Sequence, residues 1–174
     1  MRNFLFGVAT VFVTQLLILA GQLMMRRRDR ADLARAAVMD RARAAADRIM
    51  DLLNKARKFF SDNGHTAAAY DDDRVYDVCH EIKAAAALIP DAGVRDRLET
   101  LTTVLWYGDA VADRLRKQPV YIGHVVYNAG VEILGAFLRG EPIPALAAES
   151  LKQLVELKDE ADVYEEELSA HVDR

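Results

Sequence analysis

The chain has 174 residues, a formal net charge of −4, and 52% apolar residues against 29% charged ones. That balance excludes a chain disordered by composition and one wholly embedded in lipid. Five arginines against Asp29 give residues 1–30 a charge of +4, so the rest carries −8, most of it from Glu141 onward; an acidic body without clustered Lys and Arg excludes nucleic acid as a partner.

Residues 3–25 contain no charged side chain and are dominated by Phe, Leu, Val, Ile and Met. About 20 helical residues suffice to cross a bilayer, and in lipid the backbone must bond to itself, so the segment is predicted to be a single N-terminal transmembrane helix. A cleaved leader would have a shorter apolar run and an Ala-x-Ala site; here the run passes directly into Arg26, Arg27, Arg28 and Arg30, a stop-transfer flank. Those four arginines outweigh Arg2 on the other side, which places the N-terminus outside and the C-terminal body in the cytoplasm of a cell-membrane protein. They also suit anionic lipid head groups. The single cysteine, Cys79, excludes an intrachain disulfide and agrees with a reducing compartment.

Within the span, Gln15 and Gln22 lie a heptad apart, beside a small-residue stripe of Gly7, Thr10, Thr14 and Gly21. Small residues and amides are what membrane helices use to associate. Gly7, Thr10, Thr14, Gln15 and Gln22 are therefore the expected seam of a homo-oligomer.

The remainder, residues 31–174, is predicted to be all-α: one cytoplasmic domain forming an up-and-down antiparallel bundle of about five helices. The first runs on from the anchor without a breaker to Asn63-Gly64, with Val38, Ala42, Ala45, Ile49, Leu52, Ala56 and Phe59 as its apolar stripe. Residues 61–71 read as the longest loop, and Asp71, Asp72 and Asp73 open the second helix, where acids suit the positive end of the dipole. Val75, Val78, Cys79, Ile82, Ala86 and Ile89 form its buried face, and Asp91 can cap the next helix. The third carries a heptad of Val94, Leu98, Leu101, Leu105, Gly108, Ala112 and Leu115. Pro119 precedes a fourth helix that ends at Gly140. Pro144 suits the first turn of the last helix, whose expected stripe is Ser150, Leu154, Leu157, Ala161, Tyr164 and Leu168. Its other face is acidic, with Glu149, Glu156, Asp159, Glu160, Glu165, Glu166 and Glu167, and would suit a basic protein partner.

Chemistry is sparse. Cys79-His80-Glu81 begins like a zinc-protease helix, but Ala84 stands where the second histidine is needed. Asp73, Asp77 and His80 only approximate half of a di-iron set; no metal, cofactor or catalytic residue is assigned. Cys79 falls on an apolar stripe, as a structural thiol does. The fourth helix is the least bland. Tyr121, His124, Asn128 and Glu132 form a polar ladder, a candidate groove, while Gly123, Gly130 and Gly135 each cost about 1 kcal/mol of helix propensity and so imply close approach. Trp106-Tyr107 reads as a core or interface anchor.

The expected function is thus a non-enzymatic, self-associating membrane scaffold or interaction protein, its lipid anchor carrying an acidic bundle. Two alternatives come from other classes: an effector whose anchors oligomerise and perturb the bilayer when the bundle senses a signal, and an enzyme using His124, Asn128 and Glu132. The enzyme requires those three to line one concavity.

Overall fold

The computed structural model describes residues 2–63, 73–145 and 149–172, with the side chains of 22–62, 74–145 and 151–171. All of its regular structure is helical: α1 Arg2–Asn63, α2 Asp73–Ala86, α3 Ala92–Trp106, α4 Gly108–Arg114, α5 Pro119–Arg139 and α6 Glu149–Val172. No strand occurs among the described residues. The chain divides into two compact units, Met1–Asp40 and Arg41–Arg174.

In the first unit the backbone is helical throughout from Arg2, within one uninterrupted α1. The expected spanning character of residues 3–25 rests on side chains that, up to Gly21, lie outside the described residues. Leu23, Met24, Met25, Leu33, Val38 and Met39 are exposed. Val38 therefore does not belong to the buried stripe predicted for this helix; burial begins at Ala42. Periodicity marks a face, and a face is buried only where another element covers it.

The second unit has one apolar core, to which every helix contributes. The part of α1 from Ala42 to Phe60 runs antiparallel to α5. Phe60 lies against Gly123, Arg57 stacks over the Tyr127 ring at 4.6 Å, and Leu53 lies against Gly130. A Cβ on Gly123 would stand 2.6 Å from Phe60 Cδ2, and one on Gly130 would overlap the Leu53 side chain. These two glycines let large apolar knobs approach the α5 backbone, which accounts for their unfavourable presence inside a helix. The third, Gly135, faces the end of Arg139 and plays no such part.

α5 also packs against α3, α4 and α6. It is the one helix among the described residues that is long and apolar enough to cross a membrane, and half of that apolar window is buried inside the protein. A helix at the centre of a packed unit meets the same two criteria, so this is slight support for membrane association and assigns no topology.

Local signals behave as their chemistry dictates. Asp91 caps α3, its Oδ1 accepting from the Val94 amide at 3.0 Å. Pro119 occupies the first turn of α5, and Gly140 ends that helix in the left-handed region at φ 69°. The predicted third helix is in fact two, broken at Tyr107 with ψ 18°. Its heptad survives the break: Val94, Leu98, Leu101, Leu105, Gly108 and Ala112 are all buried. Ser61, Asp62 and Asn63, expected to open the loop of 61–71, belong to α1, which keeps its helical bonding to Asn63; the rest of that loop lies outside the described residues, as does Asp72. Pro144 sits in the irregular stretch 141–145, and α6 is described from Glu149.

Candidate functional site

The polar ladder of α5 lies on a largely exposed face. His124, Asn128 and Glu132 are exposed, Tyr121 is half-buried under Lys117 at 5.4 Å, and none of the four lines the concavities described below. Gln22 and the four arginines Arg26, Arg27, Arg28 and Arg30 are likewise exposed. The side chains of Gly7, Thr10, Thr14 and Gln15 lie outside the described residues.

On α6 the buried stripe is Leu151, Leu154, Leu157 and Ala161; Leu168, expected to be buried, is 44% exposed, because the helix has passed the end of the core there. Part of its acidic face is satisfied from within. Arg114 bridges Glu160 at 3.1 Å and Glu167 at 2.8 Å, both bonds favouring its charged form. Glu156, Asp159, Glu165 and Glu166 remain exposed, and Glu149 lies outside the described side chains.

A polar concavity lies elsewhere. A cleft of about 630 Å³ opens over α3, with α2 and α6 as its walls. Its floor is one face of α3, where Asp96, Glu99, Thr103 and Trp106 recur at helical spacing. α2 contributes His80 and Lys83, and α6 contributes Lys158 and Glu165. Trp106 is the hub of this cleft. Tyr76 meets its ring edge-on at 4.6 Å, His80 at 5.4 Å, and the Lys83 ammonium lies 5.8 Å from its centroid. Beside it, Tyr107 packs on Tyr164 at 5.9 Å. Burial raises the Tyr107 hydroxyl pKa, and so does Glu165, which accepts its hydrogen bond.

The walls hold partners of their own. Lys158 is paired with Asp162 one turn away, and Glu165 is engaged by Tyr107. The carboxylates of Asp96 and Glu99, by contrast, have no ion pair or hydrogen bond among the described residues; the bonds at these positions go to their backbone carbonyls. A second concavity, lined by Ala86, Ala87 and Arg95, shares Lys83, Asp96 and Glu99, so the trough continues along the α2–α3 groove. A third, between α1 and α2, is crossed by the Arg48–Glu81 pair at 2.9 Å.

Comparison with family models, curated proteins and solved structures returns no match. The site must speak through its own chemistry.

No three His, Cys, Asp or Glu side chains gather around a point among the described residues. Cys79 is buried in the core, its thiol donating to the Thr102 carbonyl oxygen with Sγ 3.7 Å away. Burial pushes its pKa up to about 12, so at neutral pH it is a thiol and not a nucleophile. The cleft offers an aromatic surface, two unengaged carboxylates and hydroxyls: the equipment of a binding site. The apolar stripe of α3 does not reveal this cleft. The polar positions 96, 99, 103 and 106 carry an equally regular signal, but their convergence with α2 and α6 depends on tertiary packing.

Proposed function

We propose that the chain is a membrane-anchored, non-enzymatic interaction protein, self-associating through its anchor and presenting an up-and-down antiparallel bundle to the cytoplasm. The observation that carries this reading is the continuity of α1. One helix without a break bears the charge-free segment 3–25, the exposed Arg26, Arg27, Arg28 and Arg30, and the core-forming stripe from Ala42. A charge-free run of that length is stable in lipid as a helix, and the arginines hold the following residues on the cytoplasmic, anionic side. Self-association rests on Gly7, Thr10, Thr14, Gln15 and Gln22, whose types suit close helix approach and amide pairing in lipid. The exposed carboxylates of α6 are the surface for a basic protein partner.

Fractionation tests the anchor. The full chain should stay in the membrane pellet through alkaline carbonate, and a version lacking residues 1–25 should leave it. Recovery of the full chain as a soluble species would remove the proposal. Orientation can be read from Ser169→Cys, an exposed position in a protein whose own thiol is buried. A membrane-impermeant maleimide should label it only after lysis. Gln15→Leu with Gln22→Leu should shrink the oligomer seen in mild detergent; an unchanged size would dismiss the glutamine seam.

A further inference from the structure

We propose that the cleft floored by Trp106 binds a small organic cation, a quaternary or protonated amine carried on an apolar body. This is independent of where the chain resides and goes beyond the scaffold reading.

Three features of the cleft select that chemistry. Its volume of about 630 Å³ falls in the range of small-ligand sites. Its unengaged fixed charges are mostly negative: Asp96 and Glu99 have no side-chain partner among the described residues, while Lys158 is neutralised by Asp162 and Glu165 is bound by Tyr107. An anion would meet both free carboxylates at the floor. Finally, the indole already receives an ammonium group. Lys83 Nζ stands 5.8 Å from the Trp106 centroid, within the distance over which a ring quadrupole attracts a cation.

Lys83 is therefore a placeholder. It is exposed and sits on a flexible four-carbon stem, so it can swing into solvent when a second cation takes the ring. Asp96 and Glu99 lie on the same α3 floor, two to three turns before Trp106, where their negative potential draws the cation into the cleft, and Thr103 supplies a hydroxyl between the carboxylates and the ring. Removing Lys83 should then tighten binding, because the ligand no longer competes with an internal ammonium and no longer feels its repulsion. Few other arrangements of an aromatic, an amine and two acids make that prediction.

Trp106 is the chain's single tryptophan, so its fluorescence reports on this cleft alone. The experiment titrates the full chain, in an uncharged maltoside detergent, with choline and with choline's uncharged isostere, in which a tert-butyl group replaces the trimethylammonium. Choline should give a saturable change in tryptophan emission and the isostere none. Asp96→Asn with Glu99→Gln, both at exposed positions that leave the core intact, should weaken choline by about tenfold, and Lys83→Gln should strengthen it by about threefold, the scale of an exposed cation–π contact. No saturable response, an equal response to the isostere, or weaker binding by Lys83→Gln would overturn the proposal. So would a saturable response to inorganic phosphate that Lys83→Gln abolishes, since that would assign the cleft to anions.

Discussion

The seam between α1 and α5 and the cleft between α2, α3 and α6 are built from helices of ordinary amphipathic pattern, yet one is closed and the other open. In the seam, glycines at 123 and 130 receive Phe60 and Leu53, so the backbones draw together. Over α3 the facing positions carry Trp106, Lys83, His80 and Lys158, long or ringed side chains that line a cleft of about 630 Å³. Apolar periodicity marks both regions equally. What separates them is side-chain size at the points of closest approach, because helix spacing follows the residues at the contact.

The largest test of this contrast strikes the closed side. Phe60 is fully buried, and Phe60→Ala should cost about 3–5 kcal/mol as a transfer loss plus an unfilled hole. The paired glycines sharpen the point. An Ala methyl at 123 would lie 2.6 Å from Phe60 Cδ2 and 3.1 Å from its Cβ, and Cβ cannot swing aside. Gly123→Ala should therefore destabilise by about 1–2 kcal/mol, overpacking outweighing the gain in helix propensity. At 130 the obstructing atom is the terminal methyl of Leu53, which can rotate, so Gly130→Ala should cost less. Urea unfolding of the variants gives the order directly. If Gly123→Ala stabilises the protein, the seam is not closed as described. Combining Gly123→Ala with Phe60→Leu should recover part of the loss.

A second test asks how far dryness extends beneath the open region. Cys79 immediately precedes His80 of the cleft wall but lies in the core, with its thiol held protonated up to about 12 against an ordinary 9.0. Above pH 9 the unfolded chain gives up a proton that the folded chain keeps. Stability should thus fall as pH rises from about 9 toward 12, by up to about 1.4 kcal/mol per pH unit. The effect is read as the difference from Cys79→Ala, in which this contribution vanishes while lysines and tyrosines titrate as before. Parallel slopes for the two proteins would mean that water reaches the thiol from the cleft. Under native conditions the same thiol should resist alkylation at pH 8 and react fully in denaturant.

Much of this contrast was legible in the sequence, and the missing part has a common cause. The helical class, the stripe Ala42–Phe60, the heptad through Ala112, the Asp91 cap and the Gly140 stop all follow from local spacing and chemistry. The glycines of α5 announced a close approach, and the knobs that fill it are Leu53 and Phe60. Val38 and Leu168 continue their stripes faithfully but are exposed, so the pattern overstated burial at both positions. His124, Asn128 and Glu132 lie on one exposed face of α5. Conversely, Trp106 and Asp96 become a site only when α2 and α6 arrive on either side. Periodicity assigns a residue to a face of its own helix; concavity belongs to several helices at once.

The ends of α4 and α5 show the choice between a glycine and a bulky side chain at its simplest, and carry the smallest expected effect. Both helices close with the same pair of backbone bonds. Lys117 N–H donates to Ala112 at 2.8 Å and Arg116 N–H to Asp113 at 3.0 Å; Glu141 N–H donates to Ala136 at 2.9 Å and Gly140 N–H to Phe137 at 3.1 Å. This is the Schellman arrangement, which places one residue in the left-handed region. α5 uses Gly140 there, at φ 69°, and α4 uses Arg116, at φ 50°. A Cβ in that region costs about 1–2 kcal/mol, of which glycine's greater freedom in the unfolded chain gives back part. Arg116→Gly should accordingly stabilise the protein by about 0.5–1 kcal/mol, seen as a higher Tm, and Gly140→Arg should lower it by a similar amount. Equal and opposite shifts would establish that the two stops differ only in the side chain they carry. A loss of stability in Arg116→Gly would instead show that the guanidinium at this turn contributes more than its backbone strain costs.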